Sequence, residues 1–232
     1  MASVDSVDPS FDRTESLIGK NAFEKLKAAS VLVVGLGGVG GAAFEVLVRS
    51  GIGRMTVVDG DAFEPTNINR QMLCTLGEIG SSKAGAAKRR AAEINPKAQV
   101  IAIEKFLTEQ TCDEILGGGK FDYCIDAIDD ARAKVELARS CAWLSIPLIA
   151  AMGAGNRLDC TFNVCDIYKT SGDPFARKMR KLYREAGIES LDVVCAASPP
   201  SVRSATPLSI AAPPIVMGAT LANFVICRLI EA

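Results

Sequence analysis

The sequence predicts an α/β fold: a Rossmann-like, doubly wound, mostly parallel sheet with helices on both faces and a C-terminal extension of extra strands and a helix. Three observations predict it. Strand-like apolar runs alternate with helix-like segments from residue 31 to residue 151. The first run, Val31-Leu32-Val33-Val34, feeds straight into the glycine loop Gly35-Leu36-Gly37-Gly38-Val39-Gly40. The chain has 232 residues, 49% of them hydrophobic, which suffices for one large core.

Each element follows from local pattern. Residues 1–12 are polar and acidic, lack the apolar stretch of a signal peptide, and are expected to be disordered. Residues 13–232 are expected to form a single domain. Helical character runs over 11–26. Residues 31–34 form a continuous apolar run, as suits a central parallel strand covered on both faces. Residues 38–50 read as a helix with Phe44, Leu47 and Val48 on one side. Residues 54–58 give the second strand, ended by Asp59. An Ala-rich helix covers 83–94 and stops at Asn95-Pro96. Residues 99–103 form a third strand, 108–116 a short helix ended by three glycines, and 123–125 the fourth strand. A helix over 131–144 and a strand over 147–151 complete the alternation.

Beyond Gly153 the pattern changes. Residues 160–165 and 191–195 read as strands, and 174–186 as a basic helix. The stretch 198–214 holds five prolines and reads as a mobile loop. The apolar tail over 215–230 is interrupted by Gly218, Asn223 and Arg228. It reads as a buried or interface helix that falls short of a membrane span.

Composition excludes whole classes of chemistry. The chain has no histidine, which removes Ser-His-Asp and Cys-His catalysis and histidine metal ligation. Its eight cysteines form no C-x-x-C pair, against a structural zinc site. A chain this rich in core residues does not need disulfides, so reduced thiols and a cytoplasmic location are expected. The net charge of −1 provides no global attraction for nucleic acid, which would have to meet a local basic patch.

Gly35, Gly37 and Gly40 match G-x-G-x-x-G at a strand-to-helix junction, where glycines allow a tight turn and free N–H groups face a phosphate. Asp59 ends the second strand, where an acid receives ribose hydroxyls. To this point an NAD enzyme fits equally well. The loop that follows separates the two readings. It carries Asp61, Asn67, Asn69 and Arg70, and Lys83 opens the next helix. A triphosphate attacked at its α-phosphorus builds negative charge that guanidinium and ammonium groups stabilise. Lysine is also disfavoured by the dipole of a first helical turn, so its place there asks for a reason. Asp126, Asp129 and Asp130 lie just past the fourth strand, where one acid suits magnesium and another suits a helix cap.

This set of residues resembles the E1-like superfamily, whose members adenylate a carboxylate and release pyrophosphate. The resemblance rests on GLGGVG, the Asp59/Asp61 pair, Asn67-Ile68-Asn69-Arg70-Gln71, Lys83 and the segment Asp126-Ala127-Ile128-Asp129. It implies that Gly38 and Asp59 contact ATP, that Arg70 and Lys83 hold the phosphates, and that Asp129 handles Mg2+. Arg13 matches an arginine that in relatives reaches a partner subunit's nucleotide. Lys134, five residues past Asp129, stands where the thiamine and molybdopterin branches usually have arginine. The segments Arg13-Thr14-Glu15-Ser16-Leu17-Ile18-Gly19 and Asp166-Ile167-Tyr168-Lys169-Thr170, with Asp173-Pro174-Phe175-Ala176 and Arg180, are similar to the branch that dehydrates threonylcarbamoyladenosine in tRNA.

That branch implies ATP-dependent cyclisation of N6-threonylcarbamoyladenosine at tRNA position 37, with no enzyme nucleophile. It implies a homodimer and, as a further partner, a sulfur-transfer protein. Arg177, Lys178, Arg180, Lys181 and Arg184 form the best candidate tRNA contact, and Arg177, Lys181 and Arg184 share a helix face. Lys88, Arg89 and Arg90 form a second, weaker patch. Cys160, Cys165 and Cys195 lie where a thioester-forming cysteine would be sought, and the other five cysteines read as core. Three other readings stay open at this point: an adenylyltransferase for a ubiquitin-like or sulfur-carrier protein, an NAD oxidoreductase, and a silent E1-like subunit.

Overall fold

A computed structural model of the chain describes residues 9–204 and 206–231. The elements run α1 (Asp12–Ile18), α2 (Lys20–Ala28), β1 (Ser30–Val34), α3 (Gly38–Arg49), β2 (Arg54–Val58), α4 (Lys83–Ile94), β3 (Gln99–Ile103), α5 (Glu109–Gly117), β4 (Tyr123–Asp126), α6 (Ala131–Trp143), β5 (Leu148–Ala151), β6 (Phe162–Asp166), α7 (Pro174–Glu185), β7 (Asp192–Ala196) and α8 (Ala212–Glu231). The strands form one sheet in the order β3-β2-β1-β4-β5-β7-β6. Every neighbouring pair is parallel except β6 and β7, which are antiparallel.

The apolar run of β1 explains the layering. Val31 and Val33 join a core cluster with Leu26, Phe44, Ala87 and Leu221, drawn from α2, α3, α4 and α8. Leu32 and Val34 join a second cluster with Ile115, Leu137 and Met179, from α5, α6 and α7. The period-two alternation of a strand therefore sends side chains into two separate apolar layers. The chain winds outward from β1 through β2 to β3, then returns to the other side of β1 as β4 and β5. That reversal leaves a crevice beyond the C-terminal ends of β1 and β4, the usual ligand site of open α/β sheets.

Four expectations need correction. Of the terminus expected to be disordered, residues 1–8 lie outside the described residues, but Pro9–Phe11 form a 3-10 turn and Asp12 opens α1. Phe11 fixes that turn by packing on Phe23, with ring centroids 5.7 Å apart. The single helix over 11–26 is broken at Gly19, whose φ of +86° suits glycine and ends α1. The described residues of the stretch 198–214 are fastened at two places: Asn156 exchanges hydrogen bonds with Leu208, and Pro213 and Pro214 already lie in the first turn of α8. Finally, α8 has 20 residues and is long and apolar enough to cross a membrane by length and composition alone. Its inner residues Met217, Leu221 and Val225 instead fill the core against α3. A Cβ on Gly218 would stand 2.2 Å from the Val39 carbonyl oxygen, so this glycine permits close packing of α8 on α3 rather than interrupting the helix.

Candidate active site

The glycine loop is built by its neighbours. Gly35 takes a φ of +87°, and a Cβ there would meet the Ala127 carbonyl oxygen at 2.7 Å. A Cβ on Gly40 would lie 1.8 Å from the Gly35 oxygen, so the turn closes only on glycine. A Cβ on Gly38 would stand 3.1 Å from the Arg70 carbonyl oxygen and 3.0 Å from Pro214, which sets the arginine loop directly against α3. Gly37 is different. It precedes α3, and an added Cβ would meet nothing nearer than Gln71 Nε2 at 4.0 Å. Packing does not demand glycine there, and the position lies where a phosphate would approach such a turn.

Asp59 is buried at the end of β2. Its Oδ2 accepts the Leu36 amide hydrogen at 2.6 Å, and its Oδ1 accepts that of Asp61 at 2.8 Å. Burial raises its carboxyl above the ordinary value, and the hydrogen bonds from Asp61 and Leu36 oppose that rise. The side chain expected to receive ribose hydroxyls thus also stitches the glycine loop to the arginine loop.

Lys83 opens α4, where Ser82 caps the helix by accepting from the Gly85 amide. The Lys83 side chain is buried, and its Nζ lies 2.8 Å from Asp61 Oδ2. The Lys83 amide also donates to the Asp61 carbonyl at 3.0 Å. A lysine against the helix dipole is therefore retained by an acid placed to hold it. Arg70 Nη1 donates to the Thr66 carbonyl at 2.8 Å and to Asn69 Oδ1 at 3.0 Å. Asn69 in turn donates from Nδ2 to the Ser209 carbonyl at 3.0 Å.

Asn67, expected among the ATP contacts, also has a structural task. It is buried, its Oδ1 accepts the Glu64 amide hydrogen at 3.1 Å, and Glu64 caps the other end of the same 3-10 turn. Its carboxamide shapes the loop. The residue that the sequence motif includes without a role is Gln71. It is buried beside Gly37, and its Oε1 finds no hydrogen-bond donor. An unpaired amide oxygen at the mouth of an anion-binding turn is unfavourable unless a ligand supplies a donor. Its place directly after Arg70 was the one available signal.

The three acids past β4 divide their tasks. Asp130 caps α6, accepting from the Arg132 and Ala133 amides. Asp126 is fully buried and pairs with Lys134 Nζ at 2.9 Å. Burial raises the Asp126 carboxyl, and the Lys134 ammonium pulls it back. Lys134 also reaches the Ile128 carbonyl at 3.2 Å, so the pair fixes the loop between them. Asp129 is exposed on that loop and makes no hydrogen bond or ion pair among the described residues. Of the three, Asp129 is the carboxylate left free for a cation. No group of three or more His, Cys, Asp or Glu side chains among the described residues stands together to hold a metal unaided.

Other expected residues lie outside this crevice. Arg13 is exposed on α1, two residues from Phe11, which packs near Gly51 at the opposite end of the sheet. It cannot serve the nucleotide crevice of its own chain. On α7, Arg177, Lys178, Lys181 and Arg184 are exposed, while Arg180 is committed to Thr170, donating to its carbonyl at 2.7 Å. Arg180 thus also anchors α7 to Thr170. Arg184 stacks over Tyr168 with 5.1 Å to the ring centroid, and Lys181 stands 3.7 Å from Glu185. In the weaker patch Arg89 pairs with Glu78, and Arg90 with Glu45 and Glu93, so two of its three charges are neutralised.

All eight cysteines are free, and Cys227, expected in the core, is half-buried. Cys165 and Cys195 bring their Sγ atoms to 3.7 Å across β6 and β7. Burial pushes the Cys195 thiol up to about 12, the wrong direction for a nucleophilic thiolate.

Comparison with known proteins agrees with this architecture. The ThiF family matches residues 11–228. A tRNA threonylcarbamoyladenosine dehydratase of Bacillus subtilis is 44% identical over 180 residues, covering 77% of this chain and 70% of the relative. One of Haemophilus influenzae is 36% identical over 186 residues, covering 80% and 71%. The solved E. coli tRNA N6-threonylcarbamoyladenosine dehydratase in complex with ATP superposes with a TM-score of 0.91 at 29% identity, covering 100% of this chain and 98% of that one. With the match spanning nearly its whole length, this chain belongs to the ThiF family.

Proposed function

We propose that this protein is an ATP-dependent tRNA threonylcarbamoyladenosine dehydratase. The observation that carries the proposal is the meeting of three features at one end of the sheet: the uncrowded glycine Gly37 at the start of α3, the Arg70 and Lys83 cations beyond β2, and the unpaired Asp129 beyond β4. The relatives' shared name supplies the substrate.

The chemistry follows from the charges. A threonyl carboxylate oxygen attacks the α-phosphorus of ATP, and pyrophosphate leaves with the bridging electron pair. Arg70 and Lys83 stabilise the charge that gathers on the phosphate oxygens. Magnesium, when bound, would be held by Asp129 and would neutralise phosphate charge. A nucleophile of the same threonylcarbamoyl group then attacks the activated acyl carbon, and AMP departs with the former carboxylate oxygen. The nucleoside has lost one water and ATP has become AMP and pyrophosphate. Both partners of the ring closure belong to the substrate, so the protein's task is positioning and charge stabilisation. No histidine or thiolate is required.

A homodimer completes this reading, because Arg13 can meet a nucleotide only in a second copy. The exposed cations Arg177, Lys178, Lys181 and Arg184 of α7 are the proposed tRNA contact. The test is incubation with ATP, magnesium and tRNA bearing the modification, followed by mass spectrometry of the nucleosides. Loss of one water, absent without ATP, is the expected result. Pyrophosphate release driven by a small carrier protein, with the nucleoside unchanged, would favour the adenylyltransferase reading instead.

A further inference from the structure

Among the described residues three cations are buried: Lys83, Lys134 and Arg157. The first two each hold a carboxylate within 3 Å, at 2.8 and 2.9 Å. Arg157 holds none. It is 4% exposed, its Nη1 donates to the Ser198 carbonyl at 3.1 Å, and its Nε has no acceptor. The nearby Asp159 carboxylate feels the Arg157 charge but makes no hydrogen bond to it, accepting instead from Thr161 and from the Ser198 hydroxyl. A buried guanidinium with no bonded carboxylate and an unpaired N–H is an unfavourable arrangement in a protein. Such a group is retained where an anion arrives to complete it.

Its place in the fold says which anion. Arg157 follows β5, which neighbours β4 and runs parallel to it. The segment carrying it thus opens at the same end of the sheet as the glycine loop and Asp129. Ser198 follows β7, the other neighbour of β5. Asn156, the residue before Arg157, is bound to Leu208, and the next residue, Ser209, is bound to Asn69, which accepts from Arg70. A chain of hydrogen bonds therefore leads from Asn156, beside Arg157, to Arg70. The nucleotide phosphates are served on the β1 and β2 side, and Arg157 stands on the β5 and β7 side.

We infer that Arg157 is an oxyanion-binding residue for the RNA substrate, taking a carboxylate or phosphate oxygen opposite the nucleotide. Guanidinium suits either group through paired N–H donors. The inference rests on the proposed function, and binding measurements separate the two. Arg157→Gln removes the charge and keeps an amide donor. Its melting temperature should equal or exceed that of the wild type, because an uncompensated buried charge is removed. Its KM for ATP should not change, and its KM for modified tRNA should rise about tenfold or more, the usual loss for a hydrogen bond to a charged group.

Two probes identify the source of the oxygen. Weaker binding of the free nucleoside N6-threonylcarbamoyladenosine, with an unmodified anticodon stem-loop bound as before, assigns the carboxylate. The reverse pattern assigns a backbone phosphate. Wild-type affinity for both probes overturns the inference. A fall in melting temperature in both Arg157→Gln and Arg157→Lys, with RNA affinity intact in the folded protein, makes Arg157 structural and also overturns it. The binding arms need no turnover, so they read Arg157 whether or not the wild type dehydrates tRNA.

Discussion

Lys83 and Asp61 are joined twice, by an ion pair at 2.8 Å between side chains and by a backbone hydrogen bond at 3.0 Å. The lysine is buried and its acid is half-exposed, with 53% of the Asp61 side chain accessible. An exposed acid is weakly bound to the pair and can yield the ammonium to a phosphate.

Replacement of Lys83 therefore separates from replacement of its holder. Lys83→Ala and Arg70→Ala should each lower the rate of dehydration by about 100-fold or more, as loss of a charge-stabilising donor does. Asp61→Asn should cost less, since the ammonium remains. Single-turnover rates on modified tRNA, beside thermal melts showing an intact fold, check the order.

The glycines give a second contrast. Gly40→Ala drives a Cβ to within 1.8 Å of the Gly35 oxygen and should fail to fold or lose several degrees in melting temperature. Gly37→Ala meets nothing closer than 4.0 Å and should fold normally while binding ATP more weakly. Normal ATP affinity in folded Gly37→Ala would mean that no phosphate approaches there.

The pair of Lys134 and Asp126 supports the loop that bears Asp129. Lys134→Met leaves a fully buried carboxylate without its cation and should destabilise by about 3–5 kcal/mol in urea unfolding. The double variant Lys134→Met, Asp126→Leu should recover much of that loss, because neither charge then needs solvation. Equal loss in single and double variants would refute the assignment of the cost to the unpaired charge.

Acid should weaken the packing of α3 on α4. Burial alone would raise the Glu45 carboxyl, but Arg90 and Arg49 outweigh it and hold the group below its ordinary 4.5. A depressed folded value contributes stability that is fully present above 4.5 and is lost as pH falls through the folded value. Unfolding free energies measured at falling pH should therefore drop less in Glu45→Gln than in wild type. Identical slopes would remove Glu45 from the account.

Most of the architecture was legible because it rests on local signals. The run 31–34 is apolar at every position, since both faces of β1 are covered, and the Gly35–Gly40 turn has no alternative to glycine at its closing position. Arg70, Lys83 and Asp129 stand out in the sequence by residue type alone, and the structure sets all three at the C-terminal ends of the central strands. The site was not legible where partners far apart in sequence decide. Asn67 also shapes its own turn, Arg180 also holds Thr170, and Arg157 stands apart only because no carboxylate bonds to it once the sheet is assembled. The break at Gly19 and the role of Gly218 likewise depend on backbone angle and on a helix packed from the far end of the chain.

The central claim is that a carboxylate of the modified tRNA attacks the α-phosphorus held at this crevice. It is tested most directly with tRNA whose threonyl carboxylate carries heavy oxygen. Turnover with ATP and magnesium should place one heavy oxygen in the released AMP and none in pyrophosphate. Unlabelled AMP, or ADP and labelled phosphate as products, would contradict it.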